Sequence, residues 1–147
     1  MRLRSPAFAD GEPIPARHTC DGEDVSPELR WSDVPEGAAS VALTCADPDA
    51  PRGTFTHWLV WDLSPATDGI DAGEVPEGAR QGRNDFGTVG YAGPCPPPGH
   101  GVHHYHFRLF ALPGPVPLPE GSTVTELYEA TAGRTLASAE LIGTYER

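Results

Sequence analysis

Several stretches of the chain alternate in side-chain character with a period of two, the spacing that places successive side chains on opposite faces of a β-strand. The candidates, of which the last two are weaker, are residues Ser40–Asp47, Thr54–Leu63, His103–Leu112, Leu136–Tyr145, Leu3–Phe8 and Leu29–Ser32. In Ser40–Asp47 and Thr54–Leu63 both faces are largely apolar, which predicts central strands that are covered on both sides.

One short helix is predicted after a proline-rich connector. Thr123 and Glu126 fit a capping box, in which the threonine side chain caps the first turn and the glutamate reaches back. Leu127 and Ala130 would then lie on the inner face, and Gly133 would end the helix.

Seventeen prolines and seventeen glycines in 147 residues leave little room for long helices. We therefore predict a mostly-β fold, a sandwich of antiparallel sheets with one or two short helices, in a single domain over residues 1–147. No apolar run approaches the roughly 20 residues that span a bilayer, and no apolar stretch follows the first two arginines. We expect no membrane span, no signal peptide and a cytoplasmic location.

The formal net charge is −11, and every strong cation is an arginine. A negative chain repels phosphodiester backbones, so we expect no nucleic-acid partner. The three cysteines, Cys20, Cys45 and Cys95, are odd in number and widely spaced without a CxxC pair. This pattern predicts neither a zinc ribbon nor a disulfide framework.

Residues 91–107 join a rigid glycine- and proline-rich loop to a strand that begins with histidines. His103 and Tyr105 are two residues apart and so project from the same face of that strand. The loop could add backbone N–H donors at Gly93 and Cys95, because concave loops with exposed amides bind anions. The alternative is that these histidines only decorate the sheet surface.

A second group of polar residues follows the strand that ends at Asp47, in the segment Asp47-Pro-Asp-Ala-Pro51. A short turn could bring His57 back beside Asp47, where a carboxylate would fix the imidazole tautomer. Taken alone, the segment also fits an ordinary Asp/Pro turn, and His57 also fits a core histidine.

Other chemistries are less well supported by these residues. A nucleophilic Cys95 near His57 or His103 would lack an oxyanion hole, because its proline neighbours donate no N–H. A metal site built from His57, His103 and Tyr105 would lack a clear carboxylate or cysteine ligand. We therefore predict no metal and no cofactor, and a small rigid pocket suited to phosphate, a phosphomonoester or a carboxylate such as acetate.

Several ordered motifs resemble the phosphatidylethanolamine-binding protein family, and more narrowly its bacterial and archaeal Raf-kinase-inhibitor-like branch. The matching segments are Asp47–Pro51, His57-Trp58, Gly90–Gly99, His103–Phe107, Cys20–Leu29 with Trp31, and Glu140–Arg147. The resemblance implies a large antiparallel sheet packed on a smaller one, short helices, and a surface pocket for anionic groups such as phosphate head groups.

The resemblance also implies the site residues. It places Asp47 and His57 at the family's pocket aspartate and histidine, and His103 and Tyr105 at its second histidine and its tyrosine. It places Gly93 and Cys95 in the loop that offers backbone amides. The rim would comprise Asp49, Pro51, Phe55 and Pro94.

These observations favour a non-catalytic protein that binds a small anionic ligand. Two alternatives remain open: an interaction protein that inhibits a kinase or protease partner through its surface loops, and an enzyme that uses Cys95 or a His/Tyr/Asp set. Exposed edge strands in a small sandwich also predict a homodimer.

Overall fold

The computed structural model describes residues 1–147 and contains eight β-strands and one α-helix. The strands are β1 (Arg2–Arg4), β2 (Leu29–Ser32), β3 (Ser40–Asp47), β4 (Phe55–Leu63), β5 (Gly69–Ile70), β6 (Arg80–Gln81), β7 (His103–Leu112) and β8 (Ala137–Tyr145), and the helix is α1 (Val124–Thr131). The alternating pattern thus located every long strand to within one residue. It did not locate the two-residue strands β5 and β6, which are too short to show a period.

The strands form two antiparallel sheets. The larger sheet has the order β6-β4-β3-β7-β8, and the smaller has the order β1-β2-β5. This arrangement confirms the predicted mostly-β sandwich. The weak candidate Leu3–Phe8 shrinks to the three residues of β1, because Pro6 lacks an N–H and the Ser5 hydroxyl accepts from Ala7 N in a local turn.

The main hydrophobic core lies between the two sheets. Trp31 from the small sheet packs in the same buried cluster as Trp58 and Phe107 from the large sheet. A second cluster fills the opposite face of the large sheet, where Trp61 lies with Leu127 of α1. The central strands are therefore covered on both faces, as their apolar pattern predicted, and each fully buried large side chain contributes roughly 1.5 to 3 kcal/mol.

The predicted capping box is present at the start of α1. The Thr123 side chain accepts a hydrogen bond from Glu126 N, and the Glu126 carboxylate accepts from Thr123 N at 3.0 Å. Gly133 follows the C-cap residue Ala132 and has a φ of +71°, the left-handed conformation that glycine adopts without strain. The helix α1 has eight residues, which is far too few to cross a bilayer, and the structure contains no other α-helix that could do so.

The alternation along β7 determines which of its polar side chains reach the candidate site. His103, Tyr105, Phe107 and Leu109 are buried, while His104 and Arg108 on the other face are exposed. β3 pairs with β4 on one side and with β7 on the other. The ends of these three strands therefore lie side by side, and the polar residues at their ends meet there.

Candidate functional site

A cavity of about 200 Å³ opens at the adjoining ends of β3, β4 and β7. Asp47, His57, His103 and Tyr105 all line it. Their side chains come from three different strands, and the sequence predicted that they would converge. Of the predicted rim residues, Pro51 and Phe55 also line the cavity. Further lining residues that the sequence analysis missed are Ala50, Phe86, Pro96 and Pro97.

Asp47 and His103 form a buried pair at the floor of this pocket. The His103 Nδ1–H donates to Asp47 Oδ2 at 2.6 Å, and the two side chains are 2% and 4% exposed. The other carboxylate oxygen, Asp47 Oδ1, accepts from the backbone N–H of Asp49 at 2.8 Å. The prediction that Asp47 orients His57 was therefore wrong, because the carboxylate turns toward β7 rather than β4.

His57 is oriented by the backbone instead. Its Nδ1 lies 2.6 Å from the carbonyl oxygen of Ala92, and because a carbonyl can only accept, Nδ1 carries the proton. The side chain is buried, and burial lowers the pKa of His57. The Ala92 hydrogen bond and the charges of Asp47, Asp24 and Asp85 oppose that shift but do not cancel it. His57 is thus a neutral imidazole at pH 7 with Nε2 unprotonated.

Tyr105 lies beside His57 in the wall of the pocket. The two rings are 5.2 Å apart in an edge-to-face arrangement, and Tyr105 is 1% exposed. Burial raises the pKa of the Tyr105 phenol, and the nearby Asp47 carboxylate raises it further. The hydroxyl therefore keeps its proton at physiological pH and can act as a hydrogen-bond donor.

His100 is a further member of the polar cluster that the sequence analysis missed. Its Nδ1 lies 2.6 Å from Nε2 of His103, although its side chain sits on the exposed loop before β7. The three groups Asp47, His103 and His100 thus form one continuous hydrogen-bonded chain from the buried floor to the surface. The i, i+3 spacing of the two histidines was the only sequence signal, and it is weak outside a helix.

The loop of residues 91–99 is held to the segment of residues 18–24 by several bonds. Cys20 and Cys95 form a disulfide, and the backbone N–H of Cys20 donates to the Pro94 carbonyl at 3.1 Å. The expectation that the cysteines form no disulfide was therefore wrong. It failed because 75 residues separate the two partners, which no local spacing rule can detect. A thiolate at Cys95 is unavailable while this bond is intact.

Gly93 serves this loop in a different way from the one predicted. Its backbone N–H donates to Asp24 Oδ1 at 2.8 Å, so it is not free to bind a ligand in the pocket. A side chain at this position would clash, because an added Cβ would lie 2.2 Å from the carbonyl oxygen of His18. Glycine is required here for close approach between two backbone segments.

Two predicted rim residues lie outside the pocket lining. Asp49 turns to the other face of the sheet, where it accepts from the backbone N–H and from Nδ1 of His104 at 2.9 and 2.7 Å. The His104 hydrogen bond lowers the pKa of the Asp49 carboxyl. Pro94 is a buried residue of the loop, and its carbonyl accepts from the backbone N–H of Cys20. Cys95 does reach the pocket wall; its sulfur is half of a disulfide, and its backbone N–H has no acceptor within the protein.

Comparison with known proteins agrees with this fold. Residues 4–146 match the family model described as phosphatidylethanolamine-binding protein. A protein named UPF0098 from Methanothermobacter thermautotrophicus is 48% identical over 152 aligned positions, which cover 100% of this chain and 99% of that protein.

Solved structures show the same similarity. A phosphatidylethanolamine-binding protein homologue from Chlamydia trachomatis superposes with a TM-score of 0.94 at 42% identity, covering 99% and 97% of the two chains. The Escherichia coli protein YbcL gives a TM-score of 0.94 at 34% identity, covering 99% and 98%. A carboxypeptidase Y inhibitor, solved with its cognate proteinase, gives 0.65 at 17% identity, covers 99% and 82%, and shares the fold alone.

Proposed function

Because this chain belongs to the phosphatidylethanolamine-binding protein family, we propose that it is a non-catalytic binding protein whose pocket takes a small anionic group. Phosphate, a phosphomonoester or a carboxylate would fit a cavity of about 200 Å³. The observation that carries the proposal is the convergence of His57, His103, Tyr105 and Asp47 on one opening. A buried, partly aromatic pocket with a few convergent polar groups is the usual form of a small-ligand site.

The chemistry of these groups suits binding better than catalysis. The cysteine at the pocket wall is held in a disulfide, so it offers no nucleophile. The phenol of Tyr105 keeps its proton because burial raises its pKa, so it is a poor base. What remains is the Tyr105 hydroxyl, the Cys95 backbone N–H and the His57 imidazole in a partly apolar setting, where hydrogen bonds to a charged ligand contribute about 1.5 to 3 kcal/mol each.

The proposal is tested by thermal unfolding in the presence of sodium phosphate. At ten times its dissociation constant, phosphate should stabilise the protein by about 1.4 kcal/mol, which raises Tm by about 3 to 5 °C. The variant pair His57→Ala and His103→Ala, made together, should lose this gain. His104→Ala is the matched control, because His104 lies on the opposite face of β7. A gain that survives loss of both pocket histidines would place the anion elsewhere.

A second candidate function is inhibition of a partner enzyme through the surface around the pocket. Phe86 and Val102 are 52% and 48% exposed, and Phe86 lines the pocket mouth. The carboxypeptidase Y inhibitor shares the fold, so a carboxypeptidase is a reasonable first partner to assay. Inhibition that survives His57→Ala but is lost in Val102→Asp would support this function. No inhibition at micromolar protein would count against it for that partner.

Assembly into a homodimer stays a prediction, and β8 is the element to test. It is an edge strand of nine residues, and residues 11–14 cover only its C-terminal half through bonds to Ile142 and Thr144. The free half could pair with a second copy. Light scattering of the wild-type chain and of Ser138→Pro, which removes a backbone donor on the outer edge of β8, would decide between a monomer and an edge-paired dimer.

A further inference from the structure

We propose that the pocket takes up its anion together with one proton, which His57 holds on Nε2. The inference rests on the proposed function. It narrows the ligand to an oxyanion whose negative charge is balanced by a proton taken up at the same time. It follows from counting which hydrogen-bonding groups in the pocket are still free to donate.

Asp47 and His103 have no free donor to offer. Both oxygens of Asp47 already accept, one from Asp49 N and the other from His103 Nδ1. The remaining nitrogen of His103, Nε2, is bonded to His100 Nδ1. A carboxylate would also repel an incoming anion. These residues therefore shape the floor, and an anion cannot bond to His103 without displacing His100.

The loop supplies at most one donor. The N–H of Gly93 is directed to the carboxylate of Asp24, and the prolines at 94, 96, 97 and 98 have no N–H, which leaves the backbone N–H of Cys95 without an acceptor in the protein. Among the side chains of Asp47, His57, His103 and Tyr105, only the Tyr105 hydroxyl is a neutral donor without a partner in the protein. Two neutral hydrogen bonds, from Tyr105 and from the Cys95 backbone, are a weak basis for holding an anion in a chain of net charge −11.

His57 becomes a donor only when it gains a second proton. Its Nδ1–H is committed to the Ala92 carbonyl, so neutral His57 presents the lone pair of Nε2. That lone pair repels an oxyanion. Protonation turns the same atom into a charged donor, and an N⁺–H···O⁻ bond is about twice as strong as a neutral one.

The surroundings of His57 tolerate the charge once an anion is present. Asp47 from β3, and Asp24 and Asp85 from the flanking loops, all favour the imidazolium, while burial opposes it. His103 and Tyr105 from β7 also line the same cavity. The rings of Phe55, Phe86 and Tyr105 lie 4.9, 5.6 and 5.2 Å from the imidazole centroid. An anion at Nε2 offsets the remaining cost of burial.

This coupling also selects the ligand's charge. A monoanion and a proton together add no net charge to the already negative protein, whereas a dianion leaves one uncompensated negative charge beside Asp47. We therefore expect carboxylates and monoanionic phosphate esters to bind more tightly than dianions of the same size.

Acetate is the probe of choice, because it stays a monoanion from pH 5.5 to 8. Isothermal titration calorimetry should show its affinity fall about tenfold for each pH unit above 6.5. Repeating the titration at pH 7 in Bis-Tris and in Tris, cationic buffers with different ionisation enthalpies, should give uptake of one proton per acetate. A flat profile with no proton uptake would overturn this inference and leave the proposed anion pocket standing. Failure of both acetate and phosphate to bind at any pH would overturn the pocket itself.

His57→Gln assigns the proton to its atom. Glutamine offers an N–H donor that does not titrate, so acetate affinity should become independent of pH, with His104→Gln as the matched control. A pH slope that persists in His57→Gln would mean that another group takes the proton. Nitrogen-15 spectra of the wild-type imidazoles give a readout that needs no variant: acetate should move both His57 nitrogens to protonated shifts. Unchanged His57 shifts at saturating acetate would contradict the assignment.

Discussion

Asp47 and His103 are 56 residues apart in the chain, and their side chains meet at 2.6 Å between Oδ2 and Nδ1. The bond joins the end of β3 to the start of β7 in surroundings from which water is almost excluded. It fixes the tautomer and the orientation of His103, and through His103 it holds His100. We therefore regard the pair as the support of the pocket, and His57 and Tyr105 as the groups that meet the ligand.

Replacing Asp47 by alanine should destabilise the protein. The change leaves His103 Nδ1–H buried without an acceptor and the Asp49 N–H without its partner, a loss of about 1 to 3 kcal/mol for the buried imidazole alone. Urea unfolding monitored by tryptophan fluorescence measures this directly. Asp49→Ala is the control, because its contact with His104 is half exposed and exposed pairs of this kind contribute about 0 to 1 kcal/mol. Equal losses in the two variants would show that the buried pair has no special weight.

Most of the fold could be predicted from the sequence, because the patterns that identify its long strands and its helix each lie within one short segment. Period-two alternation located β3, β4, β7 and β8, and the capping box located α1. Burial on both faces of β3 followed from its continuous apolar run. The sequence pattern did not predict the short strands whose partners are distant in the chain. One of them is β5, whose two residues pair with β2. Nothing in a dipeptide identifies it as a strand until the partner is known.

The site was readable only in part, for the same reason. Asp47 opposes Phe55 on β4, and its neighbour Ala46 opposes His106 on β7. His57 and His103 therefore both lie within reach of Asp47, and the sequence could not show which one it bonds. Asp47 bonds His103 and not His57 because the Nδ1–H of His57 already donates to the carbonyl of Ala92, which lies in a loop 35 residues further along the chain.

Removing the Cys20–Cys95 disulfide should destabilise the chain and loosen the pocket loop. A crosslink that closes a loop of 75 residues typically contributes about 2 to 5 kcal/mol. The variant Cys20→Ser with Cys95→Ser should show this loss in urea unfolding, and reductant should lower the wild type to the same value. Reductant should leave the variant unchanged. A wild type insensitive to reductant would mean that the bond does not form in solution.

The same bond bears on where the protein works. Disulfides persist in oxidising compartments and are rare in the cytosol, apart from the cytosol of hyperthermophiles. The cytoplasmic location stays a prediction, and thiol trapping in intact cells tests it. If Cys20 and Cys95 are trapped as free thiols, a reducing cytosol is supported. If they are trapped as a disulfide, either an oxidising compartment or an unusual cytosol is required. Cys45 should not react in either case, because it is buried and burial raises the pKa of its thiol.

Replacing Thr44 by valine should stabilise the protein. Its hydroxyl is buried on the α1 side of β3 and has no hydrogen-bond partner, and burying such a group costs about 1 to 3 kcal/mol. Valine has nearly the same shape and favours strands, so we expect a gain of about 1 kcal/mol in urea unfolding.

Thr19→Val is the matched control for that substitution. Thr19 is equally buried, but its hydroxyl donates to the Ala16 carbonyl at 2.8 Å and accepts from Asp21 N at 3.2 Å. The same chemical change should therefore cost about 1 to 2 kcal/mol there. A loss of stability in Thr44→Val as well would reveal a water molecule that satisfies the Thr44 hydroxyl.

Stability without ligand should fall as the pH drops from 7 to 5, and His57 should account for part of the slope. Burial lowers the pKa of His57 in the folded state below its ordinary value of about 6.5. The unfolded chain therefore binds this proton first, so the contribution is complete above pH 6.5 and is lost as pH falls toward the folded pKa. Each such proton contributes a slope of at most about 1.4 kcal/mol per pH unit. Urea unfolding in chloride buffers between pH 5 and 8 measures this slope. Asp49 and Glu140 titrate below this pH range, because His104 and Arg108 lower the pKa values of their carboxyl groups.

The variant His57→Gln should flatten the dependence of stability on pH. Saturating acetate should reduce the slope in the wild type, because the bound anion favours the protonated form of His57. A steeper loss at low pH in the presence of acetate would contradict both the tautomer of His57 and its role as the proton carrier.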